Sequence, residues 1–197
     1  MSRRHMIGLF AGCLLAGSLI ASPVDNGHRF EYRVLATKKT STMEKELNAA
    51  GTEGFRFEGI MGGNTEWGGS EAAAVVSRER GVEKRASFEY KLMATSKTST
   101  MQKEMQQAAD QGFEYRGQTV FETTFGGKEV VVIMERDRDA KPERHEYKLL
   151  ATSKTSTMQK ELIEAGEAGF QFVGMTVAET AFGGKELVII LRRSPGK

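Results

Sequence analysis

The chain has 197 residues, with 28 Lys and Arg against 26 Asp and Glu, 39% hydrophobic and 27% charged residues, and one Cys. That balance excludes wholesale disorder and a multi-span membrane protein, and a single Cys excludes an internal disulfide and any Cys-based zinc site. The 22 Gly require turns or close backbone approach somewhere in the chain.

Residues 1–21 read as a signal peptide. Ser2-Arg3-Arg4-His5 is a basic start, Met6 to Ala21 is an apolar and small-residue run, and Ser18 to Pro23 supplies a cleavage region. The run of 16 residues is shorter than the roughly 20 that span a bilayer; an uncleaved anchor helix is the alternative. Leu9-Phe10-Ala11-Gly12-Cys13 resembles the lipobox of bacterial lipoproteins. Against lipid attachment at Cys13, Phe10 stands where that motif favours a small residue, and the apolar run continues through Leu14-Leu15. The expectation is a periplasmic or secreted protein with no transmembrane span after leader removal. Removal takes away Arg3 and Arg4 and no acidic residue, leaving 26 charges of each sign over 176 residues. A broad basic footprint is absent, so nucleic acid is not an expected partner.

The remainder is a triple repeat, with copies at 28–80, 87–138 and 145–193. Glu31-Tyr32-Arg33-Val34-Leu35-Ala36-Thr37 returns as Glu89 to Thr95 and as Glu146 to Thr152, at offsets of 58 and 57 residues. Each copy opens with an alternating strand, Tyr32, Val34 and Ala36 sharing one face. A helix follows, expected to start at a capping box: Ser41-Thr42-Met43-Glu44, Ser99 to Gln102 and Ser156 to Gln159. Its apolar stripe is Met43, Leu47, Ala50, then Met101, Met105, Ala108, then Met158, Leu162, Ala165. Gly54, Gly112 and Gly169, each before a Phe, fit left-handed residues closing the helix.

A second strand runs through Phe55 to Met61, Phe113 to Phe121 and Phe170 to Ala178, ending in aromatic-Gly-Gly turns at Trp67, Phe125 and Phe182. The third strand, Ala72 to Val76, Val130 to Met134 and Leu187 to Leu191, is an apolar run suited to a central position buried on both faces. Mixed-charge linkers join the copies. The fold class expected is α+β: three tandem βαββ repeats packing helices on one face of antiparallel or mixed sheets. A unit of about 57 residues is marginal alone, so the copies should pack together, side by side or with pseudo-threefold symmetry, through a shared or closed sheet.

The leading Tyr strand, the helix end Leu47-Asn48-Ala49-Ala50-Gly51-Thr52-Glu53-Gly54-Phe55 and the closing Arg192-Arg193 together resemble the bacterial domain-of-unknown-function family 4177. The second and third copies depart from the pattern in lacking the Asn. The resemblance implies a βαββ fold and brings no activity.

The residues offer no catalytic set. His28 and His145 lie at unit boundaries, in non-equivalent places, and read as solvated surface residues. No metal-binding motif is present, and Gly126-Gly127-Lys128-Glu129 lacks the spacer and hydroxyl of a phosphate loop. No metal, cofactor or catalytic residue is expected.

Two binding candidates stand out. Lys39-Thr40-Ser41-Thr42, Lys97-Thr98-Ser99-Thr100 and Lys154-Thr155-Ser156-Thr157 join a strand to a helix start, where free N–H groups, the helix dipole, hydroxyls and a Lys favour an anion. Helix capping by the Ser is the competing explanation. The rings of Trp67, Phe125 and Phe182 could present a glycan- or peptide-binding surface, or fold back over the sheet end. The expected function is an exported, non-enzymatic binding module for an envelope or extracellular ligand or protein. A self-associating structural protein is the alternative. An enzyme with a composite site, using the repeated Lys with Glu129 or Glu186, is a third reading.

Overall fold

Strand alternation and helical stripes set the elements. The first unit is β1 (Phe30–Thr37), α1 (Thr40–Thr52), β2 (Arg56–Thr65) and β3 (Gly69–Glu79). The second is β4 (Phe88–Thr95), α2 (Thr98–Ala109), β5 (Glu114–Glu122) and β6 (Lys128–Asp137). The third is β7 (Glu146–Thr152), α3 (Thr155–Glu167), β8 (Gln171–Glu179) and β9 (Lys185–Arg193). The structure is a computed structural model that describes residues 29–65, 69–82, 86–95, 97–122, 128–179 and 185–194. The leader, His28, Trp67, Phe125 and Phe182 lie outside the described residues.

The protein is α+β, with three antiparallel three-stranded sheets ordered β1-β3-β2, β4-β6-β5 and β7-β9-β8, each packed with a helix. The apolar third strand is central in every sheet. Double burial holds for Val130 to Met134 and for Val188 to Leu191 but not in the first sheet, where Val75 is exposed. The sheets are separate, which corrects the expected shared or closed sheet. Extended contacts link first to second unit (α1 on β4, β2 on β5) and second to third (α2 on β7, β5 on β8), and among the described residues none links third to first. The arrangement is a row, as in repeat arrays that contact only their neighbours.

The row solves the burial problem of a small unit. One core joins Met43, Leu47 and Phe55 of the first unit to Phe88, Tyr90, Val131 and Ile133 of the second. The next joins Met101, Met105 and Phe113 to Tyr147, Leu149, Val188 and Ile190 of the third. The two faces of β6 therefore serve two cores. The helical stripes are buried as expected, apart from the partly buried Leu162.

Gly54, Gly112 and Gly169 have φ of 85°, 83° and 83°, the left-handed closure expected of them. The capping boxes are a correction. Each helix starts at Thr40, Thr98 or Thr155, with Lys39, Lys97 or Lys154 as the N-cap, and none has a side-chain cap hydrogen bond. Glu44 is committed elsewhere: its carboxylate accepts from the Leu92 amide of β4 at 2.8 Å. Gln102 likewise accepts from the Leu149 amide of β7 at 3.0 Å. The S-T-x-E/Q pattern is therefore used to dock the next unit.

A second recurrent device holds the other end of each helix. Arg78, Arg136 and Arg193 donate to the helix-terminal carbonyls of Glu53, Gln111 and Ala168 at 3.1, 3.0 and 2.8 Å. Each pairs with its cross-strand partner Glu31, Glu89 or Glu146 and lies 4.3 to 4.7 Å over the ring of Phe55, Phe113 or Phe170. A cation at the negative end of the helix dipole satisfies orphan carbonyls while the ring shields its apolar side.

Candidate functional site

The Lys-Thr-Ser-Thr segments form the first turns of α1, α2 and α3. Lys39, Lys97 and Lys154 are exposed, as are Ser41, Ser99 and Ser156. Thr40, Thr42, Thr98 and Thr100 are half-buried, whereas Thr155 and Thr157 are exposed. The amides of Lys39, Lys97 and Lys154 donate to the hydroxyls of Thr37, Thr95 and Thr152 at 3.3, 3.1 and 3.1 Å. This recurrent bond turns the chain from strand into helix and explains why the Thr two positions before each Lys recurs.

No first turn carries an acidic residue. The positive end of each helix dipole therefore stands uncompensated beside a Lys and hydroxyls, an arrangement that suits an anion. No extended contact joins one helix to another among the described residues, so the structure keeps the three segments as three places. A cleft of about 460 Å³ between α2 and β7 touches one of them, at Ser99, and its lining includes Gln102, Gln106 and Tyr147. A second cleft, of about 440 Å³, is lined by Phe30, Arg56, Glu58, Ser77 and Phe88. Neither contains a loop Lys, Glu129 or Glu186.

Among the described residues, the most heavily buried charge was not among the sequence candidates. Glu135 of β6 has a side chain 1% exposed, bonded by Arg56 of the first unit at 3.0 Å and by Arg116 of its own unit at 2.7 Å. The Tyr90 hydroxyl donates to its other oxygen at 2.9 Å. Burial pushes the Glu135 carboxyl up, against the pull of Arg56 and the Tyr90 bond. Burial and Glu135 together push the Tyr90 hydroxyl far above its ordinary range, so it stays protonated as a donor. Burial raises Tyr115 to about 12. Arg56, Tyr90 and Glu135 tie the first unit to the second. Sequence reasoning missed the cluster because its positions do not match between copies: Ser77, Glu135 and Arg192 are equivalent.

His145 is another correction. It is 4% exposed, not a solvated boundary residue, because it sits on the sheet face that the second unit covers. Its Nε2 lies 3.7 Å from a carboxylate oxygen of each of Glu114 and Glu143. These three residues are near enough to share a cation. Arg192 stands 3.6 Å from Glu114, however, and already supplies positive charge there.

Comparison of the chain with known protein families, with curated proteins and with solved structures finds no match.

Proposed function

We propose that the chain is an exported, non-enzymatic interaction module. In this reading three βαββ units, resembling the domain-of-unknown-function family 4177, present their Lys-Thr-Ser-Thr segments to an anion-bearing ligand of the cell envelope. One observation carries the reading. The segments recur almost unchanged, yet their Lys and Ser side chains are exposed and make no cap hydrogen bond. Helix capping was the competing reason for the recurrence, and the side chains do not perform it. What supports an anion is the uncompensated helix end with a Lys beside it in every copy.

The test is to replace Lys39, Lys97 and Lys154 together with Ala and to measure binding to phosphorylated and sulfated glycan arrays. The expected result is binding by the native chain and at least a tenfold loss in the variant, three charge-assisted contacts being removed. Native binding unchanged by the substitutions would refute the assignment, as would no binding to any anionic probe.

A further inference from the structure

Every internal junction joins two faces. The front face is the side of a sheet turned away from its own helix; in the second unit Tyr90, Val131 and Ile133 belong to it, and in the third Tyr147, Val188 and Ile190. The rear face of the preceding unit consists of its helix flank and its second strand. Asn48 of α1 binds the Tyr90 backbone amide and carbonyl at 3.0 and 2.9 Å, and Gln106 of α2 binds the Tyr147 amide and His145 carbonyl at 3.0 and 3.1 Å. A β-bulge then leaves one amide of the second strand facing outward. The Phe57 amide donates to the Tyr90 hydroxyl at 2.9 Å, and the Tyr115 amide to the Tyr147 hydroxyl at 2.7 Å.

The two ends of the row keep these faces and leave them uncovered. On the first sheet Phe30, Tyr32, Val34, Met61 and Val75 are exposed, Tyr32 at 65% where Tyr90 and Tyr147 are at 2% and 3%. At the far end Ile163, Phe172, Met175 and Val177 are exposed, Phe172 at 57% where its equivalent Phe57 is at 6%. Of the exposed large apolar side chains among the described residues, only Val82 lies elsewhere. Repeat arrays ordinarily close such ends with polar faces, and contiguous apolar patches mark interaction sites.

We propose that these two faces bind each other between copies of this chain, the front of one on the rear of another, continuing the internal row. The occupant follows from continuity with the internal junctions. β8 carries the same bulge, between Phe172 and Gly174, and no described tyrosine bonds the Phe172 amide. Tyr32 of a second copy is the equivalent hydroxyl. Gln159 stands where Gln102 accepts from Leu149, ready for the Val34 amide. Gly166 faces open space where Gly51 is pressed against the Phe88 carbonyl. Two places depart: Ile163 replaces Asn48 and Gln106, and Gln171 would meet Ser77 where Arg56 meets Glu135 and Glu114 meets Arg192, so this junction lacks two hydrogen bonds and an ion pair and is weaker than the internal ones. The contact is heterologous, and it therefore produces rings or open filaments rather than symmetric pairs. It makes no use of the Lys-Thr-Ser-Thr segments and stands independently of their role.

Sedimentation velocity of the full chain over a concentration series tests this, with Tyr32→Arg disabling the front and Met175→Arg the rear. The native chain is expected to grow into larger species with concentration. Each variant alone should stay monomeric, and an equimolar mixture should form one heterodimer and nothing larger, because one intact front and one intact rear remain. Ile163→Gln, restoring the missing pair, is expected to tighten association by roughly tenfold. A native chain monomeric throughout would overturn the proposal. So would association that survives in either single variant, which would place the contact in the leader or on another surface.

Discussion

The Tyr90 hydroxyl lies 2.9 Å from the Phe57 amide nitrogen and accepts its hydrogen, although 33 residues separate the two. The bulge between Phe57 and Gly59 takes that amide out of its own sheet ladder, and the neighbouring unit supplies the acceptor. An unpaired buried N–H is costly, so one unit is completed by the next. Burial and bonding thus explain the leading-strand Tyr of the second and third copies, Tyr90 and Tyr147.

Tyr90→Phe is expected to cost about 1–3 kcal/mol, since it leaves the Phe57 amide unpaired and removes a donor from buried Glu135. Tyr32→Phe, at an exposed site, should stay within about 0.5 kcal/mol. Urea unfolding of both variants measures the contrast, and equal costs would contradict the junction.

Asn48→Ala removes both bonds to the Tyr90 backbone. A loss of about 1–3 kcal/mol is expected, with hydrogen exchange at the Tyr90 amide accelerating. Unchanged protection there would show that the helix flank does not hold β4.

Two helical glycines should respond in opposite directions. At Gly51 a Cβ would overlap the Phe88 carbonyl, so Gly51→Ala should destabilise by about 1–3 kcal/mol through overpacking. At Gly166 a Cβ meets nothing within one chain, and Gly166→Ala should stabilise the monomer by about 0.5–1 kcal/mol by helix propensity alone. Thermal unfolding of the pair reads both signs.

Arg136 beside Glu89 holds its carboxyl below the usual carboxylate range. The fold favours the ionised form, so the pair's contribution is present above the unfolded carboxylate value of about 4.3 and is lost as pH falls through the lower folded value. Glu89 is 26% exposed, and solvent screening keeps the contribution under about 1 kcal/mol. Glu89→Gln should therefore weaken the protein near neutrality and converge with the native chain in acid. A difference that grew as pH fell would have the wrong sign.

Short-range patterns were legible in the sequence because their causes are local. The stripe Met43, Leu47, Ala50 needs only helical period, Gly54 only its left-handed φ, and the central place of β3 only its apolar run. The junctions were not legible, since Glu44 reaches Leu92 and Asn48 reaches Tyr90 across more than 40 residues. A local reading assigns Glu44 to a capping box. The clamps did carry a signal: Glu31 with Arg78, Glu89 with Arg136 and Glu146 with Arg193 keep one spacing of 47 residues. His145 misled because burial at a unit boundary depends on the preceding unit, which its neighbours in sequence do not reveal.

The most direct measurement of the central claim is an inorganic phosphate titration of the isotope-labelled full chain, followed by amide chemical shifts. The account expects saturable shifts at residues 39–42, 97–100 and 154–157, lost when Lys39, Lys97 and Lys154 become Ala. Saturable shifts confined to other parts of the chain, or none at these three helix starts, would contradict it.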